Sequence, residues 1–106
     1  MKYDHIGLVS NKKMDGEIWV EETKVWVTDQ EKHPYRVEWF RYAPESSMND
    51  RVRSEPHIAF EVDDLEEASK GLKVLYAPIE AEGYRIGFYE YDDGSIIEFL
   101  VYPKNR

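Results

Sequence analysis

The alternation of apolar and polar residues predicts a mainly β first part of the chain, with one ambiguous stretch. Residues 11–23 combine Met14 and Ile18 at helical spacing with Gly16, which weakens a helix. We interpret this stretch as a short helix or an irregular connection that leads into a strand. Strands are favoured where β-branched and aromatic residues cluster, at 3–9 (YDHIGLV), 24–28 (KVWVT) and 35–42 (YRVEWFRY).

The pattern restarts after a polar stretch at 45–55, the one segment that resembles a linker. Asp63 and Glu66 have the spacing of a capping box and predict the start of a helix. That helix would bury Leu65, Ala68 and Leu72. Further strands are predicted at 57–62 (HIAFEV), 73–76 (KVLY), 84–91 (YRIGFYEY) and 95–102 (SIIEFLVY). The dipeptide Asp93-Gly94 predicts a tight hairpin between the last two strands.

The two parts of the chain form an internal repeat. "DHIGLV" aligns with "PHIAFE" and "VEWFRYAP" aligns with "IEFLVYP", so each half opens with a histidine-bearing strand and closes with a glutamate-bearing one. We therefore predict a single domain over residues 1–106, with module one at about 1–44, a linker at about 45–55 and module two at about 56–106.

Charge and composition exclude several classes of function. The net charge is −8, so the phosphate backbone of a nucleic acid would be repelled. The chain has no cysteine, which excludes a disulfide scaffold and leaves His, Asp and Glu as metal ligands. The first residues carry Asp4 and His5 within a short apolar run, unlike a signal peptide or a membrane span, so we expect a cytoplasmic protein that does not contact a membrane.

The two repeated pairs, His5 with Glu38 and His57 with Glu98, are the candidate chemistry. A single histidine in an apolar strand is more often a structural residue than a ligand. A glutamate within an apolar strand is less easily explained, because an unpaired buried carboxylate is costly. Glu98 lies between Ile97 and Phe99, and if it faced solvent no partner would be needed, but its own face also carries apolar residues. Both faces of these strands are therefore predicted to be apolar, which is typical of a curved sheet with helices outside and a pocket inside.

Imidazole nitrogens and carboxylate oxygens together suit a divalent ion such as Zn, Ni, Co, Mn or Fe(II). Two pseudo-symmetric halves that face each other would bring their paired ligands to one centre. The alternative is that the histidines match because the halves descend from one duplicated unit and serve packing.

Four motifs in this order and spacing resemble the vicinal oxygen chelate superfamily, the group of the glyoxalases, bleomycin-resistance proteins and extradiol dioxygenases. They cover most of the chain: "DHIGLV" at 4–9, "EWFRYAP" at 38–44, "PHIAFEVDDLEEA" at 56–68 and "GFYEYDDGSIIEFLVYP" at 87–103. The resemblance implies an α+β fold of two βαβββ modules, with the helix of module one shortened or lost, whose mixed sheet curls around a cup.

The resemblance also implies a ligand set and a reaction. The ligand positions of the family fall on His5, Glu38, His57 and Glu98, and a divalent metal ion is the implied cofactor. Four ligands resemble the glyoxalase and epimerase branches, which implies a metal-dependent isomerase or lyase. Its substrate would be a small carbonyl or acid, and Glu98 or Glu38 would move the proton through an enolate or enediolate.

Other interpretations remain open at the level of sequence. One is a non-catalytic binding or resistance protein whose aromatic cup stacks on a planar ligand, with candidates Tyr3, Trp39, Phe40, Tyr89 and Tyr91. Another is a structural or regulatory module with a vestigial ligand cluster. For the enzyme, Arg36, Phe40 and Tyr89 are the candidate substrate contacts, a homodimer is expected from the family, and His33 has no assigned role.

Overall fold

A computed structural model describes residues 1–104, so the last two residues of the predicted module two lie outside the description. It contains eight strands, two short α-helices and one 3-10 turn at Gln30–Lys32. The strands are β1 (Lys2–Val9), β2 (Ile18–Val20), β3 (Val25–Val27), β4 (Val37–Tyr42), β5 (His57–Glu61), β6 (Lys73–Ala81), β7 (Tyr84–Glu90) and β8 (Ile96–Val101). The helices are α1 (Asp50–Ser54) and α2 (Leu65–Ala68).

All eight strands form one mixed sheet in the order β2-β3-β4-β1-β5-β8-β7-β6. In the first half β1 pairs in parallel with β4, and in the second half β5 pairs in parallel with β8. The halves meet where β1 and β5 run antiparallel, which we call the central seam. The sheet order is therefore symmetric about the seam, and the predicted repeat is present as two equivalent four-strand units.

The sheet curls, so that its two ends share one core. Val20 on β2 and Ala81 on β6 lie on the two outermost strands of the sheet, yet they belong to the same buried hydrophobic cluster. That cluster also holds Phe40, Phe88 and Leu100, which project from the inner face. The predicted α+β fold, a curled mixed sheet around a cup, is confirmed.

A second, smaller cluster lies on the outer face of the second half, beneath α2. It contains Val62, Leu65, Tyr89 and Phe99. Side chains alternate along a strand, so Phe88 points into the cup while its neighbour Tyr89 points to this outer cluster.

The helices differ from the predicted ones in position. Asp64, not Asp63, caps α2, because its side chain accepts a hydrogen bond from the backbone N–H of Glu67 at 3.1 Å. The helix also ends at Ala68, within one turn. The polar stretch interpreted as a linker contains α1, which begins after Asn49, whose side chain accepts from the backbone N–H groups of Arg51 and Val52.

Residues 10–17 contain bends and turns and no helix, which agrees with the irregular connection predicted there. β6 extends through Pro78, which the sequence placed in a loop. A proline is compatible with this strand because β6 is the edge of the sheet and its pairing with β7 shifts register between Tyr76 and Ile79. Within residues 1–104, no helix has the length and apolar character needed to cross a bilayer.

Candidate metal centre

The four central strands of the sheet each contribute one of the predicted ligands. Their order β4-β1-β5-β8 brings Glu38, His5, His57 and Glu98 to the inner face, and all four side chains are buried. The strand register arranges them in two cross-strand rows. One row is Glu38–Gly7–His57 and the other is His5–Ala59–Glu98. Each row therefore carries one histidine and one glutamate on either side of a small residue.

The reactive atoms of three of these side chains converge. His5, His57 and Glu98 each offer one ligand atom, and these atoms lie within 4.8 Å of one another. Glu98 Oε1 is 3.2 Å from His5 Nε2 and 3.1 Å from His57 Nε2. Ligands that share one divalent ion at bond lengths of about 2.1 Å are themselves separated by about 3.0–3.4 Å. The spacing of the three side chains therefore fits a metal ion.

The hydrogen bonding of the cluster supports the same conclusion. Among residues 1–104, the buried side-chain atoms without a hydrogen-bond partner include His5 Nε2, His57 Nε2 and Glu98 Oε1. The atoms approach one another closely, but not at the angles of hydrogen bonds. Buried polar groups in folded proteins are nearly always partnered, so these three neighbouring atoms form a donor set that could hold a metal ion.

Glu38 stands beside this cluster and is not part of it. Its Oε1 lies 3.2 Å from His5 Nε2, but its ligand atoms do not fall within the common 4.8 Å limit that the other three satisfy. The predicted four-ligand set is therefore present as three convergent ligands and one adjacent carboxyl group.

Asp4 fixes the orientation of His5. His5 Nδ1 lies 2.5 Å from Asp4 Oδ1, and since an ionised carboxylate only accepts, the nitrogen donates and Nε2 is left for a metal. Asp4 also accepts hydrogen bonds from Tyr102 Oη at 2.8 Å and from Gln30 Nε2 at 3.1 Å. It is positioned by a bulge, since β1 and β5 pair at Tyr3 and at His5 with Asp4 as the extra residue between them.

His57 is fixed by packing instead. A Cβ atom on Gly7, which pairs with His57 across the central seam, would lie 2.0–2.6 Å from three atoms of the imidazole ring. The ring therefore occupies the space that any other residue at position 7 would fill. Phe40 and Phe88 pack against it edge to face, each with ring centroids 5.0 Å from that of His57.

The electrostatics of the cluster follow from burial and from these neighbours. Burial opposes charge on His5, but the carboxylates of Asp4, Glu98 and Glu38 prevail and raise its pKa to about 10. Burial tends to raise the pKa of Glu98, yet His5 and His57 hold it below its ordinary value. For Glu38 burial prevails over the attraction of His5, and its pKa rises to about 8. In the metal-free protein, Glu98 is therefore ionised near neutral pH while Glu38 holds its proton.

The cluster lies at the wall of a small cavity inside the cup. The cavity has a volume of about 30 Å³, room for about one water molecule. Its lining is mainly apolar, with Glu38, Glu82 and the phenols of Tyr42 and Tyr84 as further polar groups. A groove of about 390 Å³ adjoins it on the outside.

The predicted substrate contacts are only partly brought together. Phe40 lines the cavity, but Tyr89 packs in the outer cluster beneath α2 because strand alternation turns it away. Arg36 lies just before β4, where its Nε donates to the backbone oxygen of Asp4, so it is held away from the cavity. His33 accepts from the backbone N–H of Tyr35 and lines a separate groove on the outer face, so no geometry supports a role as a fifth ligand.

Sequence reasoning missed Asp4. The available signal was an acidic residue directly before a histidine in an apolar strand. Module two has Pro56 at the equivalent place, so the internal repeat does not include this position.

Comparisons with known proteins address the fold. No protein-family model matches the chain, and no curated protein sequence matches it significantly. The structure is similar to methylmalonyl-CoA epimerase from Mycobacterium tuberculosis, with a TM-score of 0.65 and 15% sequence identity over 98% of this chain and 89% of the other. At this level of sequence identity, the similarity concerns the fold alone. An uncharacterized protein from Methanosarcina mazei is similar too, with a TM-score of 0.62 and 17% identity over 98% of this chain and 96% of the other.

Proposed function

We propose that the protein is a metal-dependent isomerase or lyase of the glyoxalase and epimerase type. The observation that carries this proposal is the convergence of three orphaned, buried ligand atoms from His5, His57 and Glu98. A fold shared with methylmalonyl-CoA epimerase is consistent with it. A divalent ion bound there would act as a Lewis acid toward two neighbouring oxygens of a substrate and so make the adjacent C–H bond more acidic.

Glu38 is the proposed proton carrier. It lies outside the three-ligand group, within 3.2 Å of His5, and it lines both the inner cavity and the outer groove. In its ionised form, Glu38 would take the proton from the substrate carbon and return the same proton to the product carbon. Glu98 lies between the two histidines and serves as a ligand. The buried, largely apolar walls exclude water while the proton is held.

The first experiment is elemental analysis of protein purified without chelator and without a nickel column. About one metal ion per chain is expected in the wild type, with a strong loss in His57→Ala and in Glu98→Gln. A wild type that neither contains nor takes up Zn, Mn, Ni, Co or Fe(II) would refute the metal-dependent function.

The proton transfer has its own test, because a proton carrier exchanges substrate hydrogen with solvent. The metal-loaded protein is incubated in D₂O with α-hydroxycarbonyl compounds and acyl thioesters, and deuterium uptake at carbon is followed by NMR. Glu38→Gln should keep its metal and slow the exchange by about 100-fold or more. Glu80→Gln, at an exposed glutamate of β6, is the matched control and should exchange at the wild-type rate.

The non-catalytic alternative is weakened by where the aromatic residues lie. Of the five side chains predicted to stack on a planar ligand, only Phe40 lines the inner cavity. Tyr3 and Tyr91 are 39% and 53% exposed, and Trp39 faces the groove on the outer surface. A metal-free protein that bound a planar ligand tightly, unchanged by His57→Ala, would restore this alternative.

A further inference from the structure

We infer that the outer groove holds the non-reacting part of the substrate and selects against a negatively charged one, so that the substrate carries an uncharged or cationic tail. This inference rests on the proposed function, because it assigns the substrate class of the same metal centre. It concerns the groove that adjoins the cavity, which we call the acidic groove, lined by side chains including Asp29, Gln30, Glu38, Glu82, Tyr84 and Tyr102.

The acidic groove shares part of its lining with the cavity. Four residues line both spaces and so form the boundary between them: Val27, Glu38, Glu82 and Tyr84. The cavity of about 30 Å³ has room for about one water molecule, whereas the groove of about 390 Å³ has room for a tail of several atoms. A substrate that approached the three-ligand cluster from the groove would meet these boundary residues first.

One wall of the groove is connected to His5 through hydrogen bonds. Gln30 and Tyr102 line it, and both donate hydrogen bonds to Asp4, which in turn orients His5. The groove and the metal centre therefore share one hydrogen-bonded framework. A tail that binds in the groove lies against the residues that hold His5 in place.

The charge of the groove has one sign. Every charged side chain among its lining residues is acidic, and neither lysine nor arginine lines it in the part of the chain that the structure describes. Glu82 lies at its inner end, where the groove meets the cavity, and Asp29 and Glu31 also line it. Arg36 lies against Asp4, with Nη2 3.6 Å from the Asp4 carboxylate, which offsets its charge.

Glu82 lines both the groove and the cavity, so its carboxylate lies where a tail would approach the metal centre. An anionic tail would place a second negative charge beside it. Unpaired charges several ångströms apart in a partly solvated groove repel by about 1 kcal/mol, or about fivefold in affinity.

The experiment uses hydroxamates, which present two neighbouring oxygens to a metal, on the Co²⁺-loaded protein. Three compounds share the hydroxamate group and carry an uncharged, a trimethylammonium or a carboxylate tail of similar size. Binding is measured by calorimetry and by the visible spectrum of Co²⁺, which needs no turnover. The carboxylate compound is expected to bind about fivefold more weakly than the uncharged one at low salt, and the difference should shrink at high salt.

Glu82→Gln is the decisive variant, because it removes one boundary charge and keeps the shape of the side chain. It should reduce the difference in affinity between the carboxylate and uncharged compounds. Glu80→Gln, which changes an exposed glutamate two residues earlier, should leave that difference unchanged. A carboxylate compound that binds as tightly as the others would overturn the inference and leave the metal centre standing. A Co²⁺ spectrum that no hydroxamate changes would instead count against the proposed function, since the metal would be inaccessible to substrate.

Discussion

Gly7 is the residue on which the position of His57 most directly depends. Gly7→Ala would place a Cβ atom 2.0–2.6 Å from the imidazole ring and force it to move. We expect metal affinity to fall by at least about tenfold, the lower end of what displaced ligand supports typically cause. Competition with a chromophoric chelator measures this directly.

Gly87→Ala is the control for that substitution. Gly87 also lies in a strand, and a Cβ there would come within 2.5 Å of Tyr89 Oη, on the outer face of the sheet. Gly87→Ala should therefore disturb packing without changing metal affinity by more than about twofold. Equal losses of affinity in both variants would show that strand distortion, rather than the ring contact, is responsible.

Glu38 should give the metal-free protein a distinctive dependence of stability on pH. Burial raises its pKa to about 8 from an ordinary value of 4.5. Between these values the folded protein binds more protons than the unfolded chain, so the free energy of unfolding falls as pH rises from 4.5 through 8. His5, whose pKa is raised to about 10, adds a further fall from its ordinary value of 6.5 upward.

Glu38→Gln separates these two contributions, because glutamine imitates the protonated carboxyl at every pH. Urea unfolding at pH 5 and at pH 8, with chelator present, should show a smaller loss of stability in Glu38→Gln than in the wild type. Identical losses would mean that Glu38 is already ionised in the folded, metal-free protein at pH 5.

Which residues come together at the candidate site could largely be predicted from the sequence, but their arrangement could not. His5, Glu38, His57 and Glu98 could be found because the repeat places them at equivalent positions. The separation of Glu38 from the other three depends on side-chain direction across the curled sheet, which spacing does not encode. Asp4 could not be assigned because the bulge that turns it inward depends on pairing with β5.

At the scale of elements, α2 packs against the outer face of the sheet, on the side opposite to the cup. Leu65 is 1% exposed and packs in the outer cluster with Tyr89 and Phe99. Leu65→Ala should lower the free energy of unfolding by about 2–5 kcal/mol, because it leaves a cavity beneath the helix. Metal affinity should stay at the wild-type value, measured in the same preparation below the unfolding transition.

Val74→Ala provides the comparison, since Val74 lies on the edge strand β6 and is 55% exposed. It should change stability by no more than about 0.5 kcal/mol. A weaker metal affinity in Leu65→Ala would show that the outer face and the cup are coupled through the sheet.

The elements also show where sequence patterns fail. The strands that carry the ligands were predicted because both of their faces are apolar. The cap of α2 was misplaced by one residue because Asp63 and Asp64 offer the same chemistry, and only the backbone turn decides which of them reaches an N–H group. Pro78 was placed in a loop because its tolerance depends on the strand being an edge, which is a property of the whole sheet.

For the whole molecule, the candidate metal centre joins residues of the two halves. His5 comes from the first half, and His57 and Glu98 come from the second. A metal that binds the folded protein alone should raise the free energy of unfolding by about 2.7 kcal/mol at a free concentration 100 times the dissociation constant. Urea unfolding with and without metal, buffered at fixed free concentration, measures this increase.

Histidine variants make that measurement specific. His5→Ala and His57→Ala should lose the stabilisation, whereas His33→Ala, at the third histidine of the chain, should keep it. Stabilisation that survives in His5→Ala would place the metal at another site.

The register of the central seam has a consequence for how the sequence can change over evolutionary time. His57 of the second half rests on Gly7 of the first, while His5 of the first half pairs with Ala59 of the second. The space for one half's histidine is thus set by a small residue of the other. The two halves of the repeat are consequently not free to change independently at these positions. Positions 7 and 57 should covary among descendants, so that a bulkier residue at 7 is accompanied by the loss of the histidine at 57.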